Sequence, residues 1–339
     1  MYLVTGGAGF IGSNLVEALL ARGERVRVLD NLSTGRAENL AAMLDQIEFI
    51  EGDIRSYHLV AEAVEGVDFV LHQAALPSVP RSVRDPITSN EVNVIGTLNV
   101  LDAARKAGVR RLVAASSSSV YGDNPALPKE ECMELRPLSP YAVSKLATEL
   151  HCQLFTRLYG FETVSLRYFN VFGPRQDPSS QYSAVIPRFI SAMLADRPLT
   201  VHGDGSQSRD FSYIDNVVDA NLRAALAPQA AGAVVNIACG ERHSLLDLID
   251  QLGQIIGREA RIEHTNARVG DVPHSLADIT LAGKLLGYEP QAPFATGLRK
   301  NGGLDAGAFV PIDHQSVNHG LHGLHGLHGG LSVPYAPSA

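Results

Sequence analysis

Tyr141 and Lys145 stand four residues apart in the run Ser139-Pro140-Tyr141-Ala142-Val143-Ser144-Lys145. On a helix that spacing puts both side chains on one face. Ser139 suits an N-cap and Pro140 a first helical residue, so a helix is expected to start here. A free phenol titrates near ~10 and is a poor base at neutral pH. A neighbouring ammonium, joined by the positive ring of an oxidised nicotinamide, stabilises the phenolate and lowers that value. Tyr141 could then take the proton of a hydroxyl group while hydride leaves the same carbon. Lys145 could also hold a ribose. The reacting oxygen needs a second hydroxyl beside it, and the run Ser116-Ser117-Ser118-Ser119, just before Val120-Tyr121-Gly122, offers several. A tyrosine and a lysine at this spacing are ordinary on helices; a second motif upstream turns the pair toward chemistry.

That motif is Thr5-Gly6-Gly7-Ala8-Gly9-Phe10-Ile11-Gly12. Gly6, Gly9 and Gly12 follow a short apolar run, Tyr2-Leu3-Val4, and precede an amphipathic segment carrying Leu15, Val16, Leu19 and Leu20. The pattern is strand, tight turn, helix. Glycines there let the backbone turn sharply, approach a pyrophosphate and pack the helix on the strand, while unpaired N–H groups at the helix start face the anion. A second apolar run, 26–29, ends in Asp30, eighteen residues past Gly12. An acid at that distance binds the adenosine ribose hydroxyls, and it repels a 2′-phosphate, favouring NAD over NADP.

The elements that must position these residues alternate. Strand-like runs recur at 26–29, 48–50, 69–72, 112–115 and 164–167, with helical patterns between them, such as 59–65 and 92–106. This alternation predicts an α/β fold, a Rossmann-type doubly wound parallel sheet with helices on both faces. Ligands on such sheets bind beyond the carboxyl ends of the strands. Gly52-Asp53-Ile54, Gln73-Ala74-Ala75 and residues 116–121 fall there, and Asp53 could contact adenine. After Tyr168, prolines 174, 178, 187 and 198 break the chain into short pieces. A smaller C-terminal substrate-binding lobe is expected from 169–212 and 239–300, with 213–238 returning to a nucleotide-binding domain of 1–168. Helices are expected at 215–227, 245–256 and 276–286, and a strand at 234–237.

Composition narrows the class. The chain has 339 residues and a net charge of −8, which argues against a nucleic-acid partner. Three cysteines, Cys132, Cys152 and Cys239, show no paired spacing, as expected of a reducing compartment. No apolar run approaches the ~20 residues that span a bilayer, and Met1 leads straight into the first strand. No membrane association and a cytoplasmic location are therefore expected. From about residue 301 the helical patterning stops. His319, His322, His325 and His328 recur at period three between glycines and leucines. Residues 301–339 read as a low-complexity tail without a packed core, and no metal site is expected.

The order of motifs resembles the extended branch of the short-chain dehydrogenase/reductase superfamily, and within it the UDP-hexose 4-epimerases. The matching stretches are Thr5-Gly6-Gly7-Ala8-Gly9-Phe10-Ile11-Gly12-Ser13, Asp30-Asn31-Leu32-Ser33-Thr34-Gly35, His72-Gln73-Ala74-Ala75, 116–122 and Tyr141-x-x-x-Lys145. They continue with 166–174, Arg209-Asp210-Phe211 and Arg268-Val269-Gly270-Asp271, so the resemblance covers about residues 1–300. It implies a homodimer, paired through helices around 92–106 and 141–159. It also implies an NAD that stays bound while C4 of a UDP-sugar is oxidised and reduced again. Cofactor contacts are implied at Gly6, Gly9, Phe10, Ile11, Gly12, Asp30, Asn31, Ser33, Gly35, Asp53, Ile54, Gln73, Ala74, Ala75, Asn93, Ser116, Tyr141, Lys145 and Tyr168.

The catalytic hydroxyl falls on Ser117, with Ser119 the second choice. Substrate contacts are implied at Ser78, Ser117, Ser118, Ser119, Asn170, Ile186, Pro187, Val201, Gln207, Arg209, Arg268 and Asp271. Of these, Arg209 and Arg268 suit a pyrophosphate and Asp271 a uridine ribose. Related dehydratases carry an Asp-Glu pair, and UDP-glucuronate decarboxylases a Glu, where this chain has Ser118 and Ser119. Serines cannot act as general acids near neutral pH, so epimerisation is expected over elimination. The stretches 76–82 and 175–178 resemble members that accept N-acetylated UDP-hexosamines, and glucuronate epimerases usually carry Thr at position 170. The family's ending is missing after Leu298-Arg299, near the size-gating position at Asn301, and the chain has no Trp.

Overall fold

The computed structural model describes residues 1–177, 185–266 and 272–302. Its strands are Tyr2–Thr5 (β1), Val26–Asp30 (β2), Ile47–Glu51 (β3), Phe69–His72 (β4), Arg111–Ser117 (β5), Glu162–Tyr168 (β6) and Val171–Phe172 (β7). Leu199–His202 (β8), Ser208–Arg209 (β9), Ser212–Tyr213 (β10), Val234–Ile237 (β11), His243–Ser244 (β12) and Ile262–Thr265 (β13) follow. The α-helices are Phe10–Ala21 (α1), Tyr57–Ala63 (α2), Val79–Arg84 (α3), Pro86–Asn90 (α4), Thr97–Lys106 (α5) and Pro140–Tyr159 (α6). Val185–Leu194 (α7), Ile214–Leu226 (α8), Leu245–Ile256 (α9), Thr280–Leu286 (α10) and Phe294–Gly302 (α11) complete them.

Seven strands form one sheet in the order β3-β2-β1-β4-β5-β6-β11. Every pairing in it is parallel. The order reverses at β1/β4, where the crevice of a doubly wound sheet opens. Alternation along the strands feeds two cores. Tyr2 and Val4 pack on one face with Leu15 and Leu19 of α1 and Val217 of α8. Leu3 packs on the other with Val60 of α2 and Val100 and Leu101 of α5. β11 lies beside β6, so residues 234–237 return to the sheet as expected. The short strands form three separate pairs, β7 with β10, β8 with β13 and β9 with β12.

Two expected helices begin elsewhere. Helical backbone starts at Pro86 rather than 92, because Asp85 accepts the N–H of Thr88 at 3.0 Å and caps it. A π-helical turn, Glu91–Gly96, then joins α4 to α5. The helix expected from 276 starts at Thr280, since the backbone of Leu276 and Ala277 instead bridges to Lys129. Among the described residues, no helix is long and apolar enough to cross a membrane. The tail from 303 onward, with its four spaced histidines, lies outside the described residues.

Candidate active site

Beyond the carboxyl ends of β1, β2, β4 and β5 lies a cavity of about 840 Å³. Gly6, Gly9, Phe10, Ile11 and Gly12 form its floor; Asp30, Asn31, Ser33, Gly35, Asp53 and Ile54 line one end. Gln73, Ala74, Ala75, Ser78, Ser116, Tyr141, Lys145 and Tyr168 line the rest.

The glycine turn is built for close approach. Gly6 has φ of 71°, and a Cβ there would stand 2.7 Å from the backbone N of Ala74. A Cβ on Gly12 would stand 2.1 Å from the carbonyl oxygen of Gly6. Gly12→Ala is therefore expected to destabilise the protein by about 1–3 kcal/mol through overpacking and to lower bound dinucleotide; denaturation and absorbance of the purified protein read both. Asp30, at the carboxyl end of β2, lines one end of the cavity. Its two carboxylate oxygens accept the N–H groups of Ala8 at 2.9 Å and Leu32 at 2.8 Å, leaving lone pairs for ribose hydroxyls. Burial raises its pKa. Asp53 accepts from Asn31 Nδ2 at 2.9 Å and from Arg55, whose bonds pull its pKa down. Gln73 meets the Tyr168 hydroxyl and Asn221.

At the other end, Ser139 caps α6 by accepting the N–H of Ala142 at 3.1 Å, and Gly160 ends the helix in the left-handed region. Tyr141 and Lys145 face the cavity together, with Lys145 Nζ 6.0 Å from the centre of the Tyr141 ring. Burial raises the Tyr141 pKa, and its hydrogen bond with Ser117 lowers it. In the protein alone desolvation outweighs Ser117; the lowering expected from the sequence joins the Lys145 ammonium to the positive ring of an oxidised nicotinamide. Burial also lowers Lys145, to about 8, while Cys152 and Glu149 raise it. Lys145 donates to the carbonyl oxygen of Ala115 at 2.9 Å. His72, held between Thr5 and Thr97, is pushed down to about 3 by burial and by Lys145 and stays neutral. At the carboxyl end of β5, Ser117 Oγ accepts the N–H of Ser119 at 3.2 Å. Among the described residues, none partners the buried Ser119 Oγ.

Several expected contacts fall elsewhere. Asn93 is buried outside the cavity wall, where its side chain bonds both backbone groups of Leu76 and the Ser144 hydroxyl; it holds the wall instead of lining it. Ile186, Pro187 and Val201 are buried on α7 and β8, drawn in by apolar packing. Asn170 donates to Asp210 O, Gln207 to His202 O, and Arg209 to Ser208 O and Pro273 O. None of these, nor Ser117, Ser118 or Ser119, lines the cavity. Asp210 accepts backbone N–H groups of Cys239, Gly240 and Ala277, and burial raises it to about 6. Arg268 and Asp271 lie outside the described residues.

Sequence reasoning missed Glu149. It is buried four residues past Lys145, accepts Ser116 Oγ at 2.5 Å and forms a two-bonded ion pair with Arg167 at 2.9 and 2.8 Å. Its helical spacing from Lys145 was the available signal. Arg36 and Arg81, which line the cavity, carried no such signal.

A glycine cradle, an acid at one end and a phenol–ammonium pair at the other fit a dinucleotide. Residues 2–238 match the model of the NAD dependent epimerase/dehydratase family. The chain is 42% identical over 302 residues to a UDP-glucose 4-epimerase of Mycolicibacterium smegmatis, covering 88% of this chain and 96% of that protein. Its fold matches a UDP-N-acetylglucosamine 4-epimerase of Methanobrevibacter ruminantium solved with UDP-N-acetylmuramic acid. The TM-score is 0.85 at 38% identity, over 89% of this chain and 96% of that one. It also matches a Thermus thermophilus UDP-glucose 4-epimerase solved with NAD, with TM-score 0.81 and 37% identity over 89% and 97%. The chain therefore belongs to the NAD dependent epimerase/dehydratase family, in its UDP-sugar 4-epimerase branch, as an isomerase with NAD as cofactor.

Proposed function

We propose that this enzyme inverts C4 of a UDP-hexose, UDP-glucose with UDP-galactose or their 2-acetamido counterparts, through a 4-keto sugar. The observation that carries the reading is Tyr141 and Lys145 facing one cavity from the same side of α6, with Lys145 bonded to Ala115 O of β5 and the glycine turn and Asp30 lining the same cavity. Tyr141 takes the proton of the C4 hydroxyl and later returns it. Ser117 holds the reacting oxygen, and Lys145 supplies positive charge and a donor for a ribose. NAD, held by the glycine turn, Asp30 and Lys145, would supply reversible hydride acceptance at C4. No carboxylate stands at Ser118 or Ser119 to protonate a leaving hydroxyl, which supports epimerisation over dehydration or decarboxylation. UDP-glucuronate is the second reading, since a serine-rich strand end also suits a carboxylate. In this account residues 1–168 with 213–238 hold the cofactor, and 169–212 with 239–300 hold the nucleotide sugar. The free thiols suit a cytoplasmic setting.

Proton NMR of the purified protein with UDP-glucose, UDP-N-acetylglucosamine and UDP-glucuronate, separately and without added NAD, tests this. The galacto-configured product of one of the first two is expected. A 4-keto or decarboxylated product sinks the reading.

The proposal includes a homodimer. Val143, Leu150, Leu154 and Leu158 are exposed along α6, and Val83, Ile87 and Ile95 are exposed on the helices packed beside it. Leucines 150, 154 and 158 form a stripe at helical spacing. An apolar stripe of this kind marks an interface, and helix-on-helix pairing of two copies covers it. Leu150→Glu combined with Leu154→Glu is expected to give a folded monomer in sedimentation velocity; an unchanged dimer would place the interface elsewhere.

A further inference from the structure

The cavity wall includes a guanidinium that no described residue neutralises, carried by the helix that packs on α6. Arg81 lies on α3 and its half-buried side chain forms part of the cavity wall. Its neighbour fixes its place: Ser82 Oγ accepts the backbone N–H of Tyr141 at 3.0 Å. Its own backbone N–H is held by Ser78 Oγ at 3.2 Å. Ser78 has φ of 114°, a conformation a non-glycine residue keeps only where its surroundings enforce it. The cavity's other cations are engaged. Arg36 faces Asp177 at 4.0 Å, Lys145 bonds Ala115 O, and Arg84 is also engaged. The first turn of α1, Phe10 to Ser13, offers backbone N–H groups but no charged side chain.

A guanidinium partly withdrawn from water without a counter-charge is costly, and its planar fork matches phosphate and carboxylate oxygens. We propose that Arg81 is an anion-binding residue that donates paired N–H bonds to phosphate or carboxylate oxygens of a molecule bound beside Tyr141. The proposal rests on reading the cavity as a site for NAD and a nucleotide sugar. Both bring such oxygens: the cofactor its pyrophosphate, the substrate its diphosphate or a sugar carboxylate. The position beside Tyr141 favours the nucleotide sugar.

The test compares holoenzyme carrying Arg81→Gln or Arg81→Lys with the wild type. Bound NAD is measured after desalting, and binding of UDP, UDP-glucose and UDP-glucuronate by titration calorimetry at low and high salt. Arg81→Gln is expected to weaken UDP-glucose binding at least tenfold and Arg81→Lys less, with a difference that shrinks in salt. An equal loss for UDP assigns the contact to the diphosphate; a loss confined to UDP-glucuronate assigns it to a sugar carboxylate. Lost NAD with unchanged nucleotide binding assigns it to the cofactor. NAD content and all three affinities within twofold of wild type overturn the proposal. Calorimetry needs no turnover, so a wild type that binds UDP-glucose without epimerising it would overturn the proposed function and leave Arg81's role intact.

Discussion

Replacing Tyr141 by Phe is expected to lower kcat by about 10³-fold, within the range that a positioned acid–base group contributes, while leaving bound NAD unchanged. The ring would stay packed on α6, capped by Ser139 and tied to Ser82 through the backbone. Only the phenol oxygen would be lost. Phe can neither take the C4 proton nor return it, so both half-reactions slow together. Lys145, bonded to Ala115 O, is left in place as the proposed donor to a ribose. Turnover by NMR and NAD released on denaturation check the two halves. A kcat within tenfold of wild type would remove Tyr141 from the chemistry, and loss of NAD would recast it as a cofactor ligand.

The second large effect falls on stability. Glu149→Gln is expected to cost about 3–5 kcal/mol, the usual consequence of leaving one member of a buried ion pair alone. Glu149 and Arg167 are 2% and 3% exposed, so water cannot compensate either charge. Arg167 also donates to the Tyr121 hydroxyl at 2.8 Å, which donates to Asn236 on β11 at 2.7 Å. The pair thus links α6 to β6 and, through Tyr121, to the edge strand. Urea unfolding of the holoenzyme measures the loss. The double variant Glu149→Leu, Arg167→Met is expected to be more stable than Glu149→Gln, because it leaves no unpaired charge. A double variant less stable than the single would show that packing, not charge, dominates here.

The nucleotide half of the molecule was legible in the chain because its signals are local. A strand, a glycine turn and a helix lie within twenty residues, and the steric reasons for Gly6 and Gly12 concern backbone atoms only a few residues away or on the next strand end. Tyr141 and Lys145 share a helical turn, so their common face follows from spacing alone. Alternating strands and helices determined the parallel sheet, since a parallel pair requires a crossover. Tertiary structure decided what lies between distant segments. It turned Asn93 away from the cavity to clamp Leu76, and it buried Ile186, Pro187 and Val201, because an apolar side chain reads alike whether it faces a ligand or a core. It bonded Ser116 to Glu149 and Ser117 to the N–H of Ser119, placements that nothing in a run of four serines records. It also buried the Tyr141 phenol, and burial, which raises its pKa, acts through everything packed around it, which no spacing in the chain records.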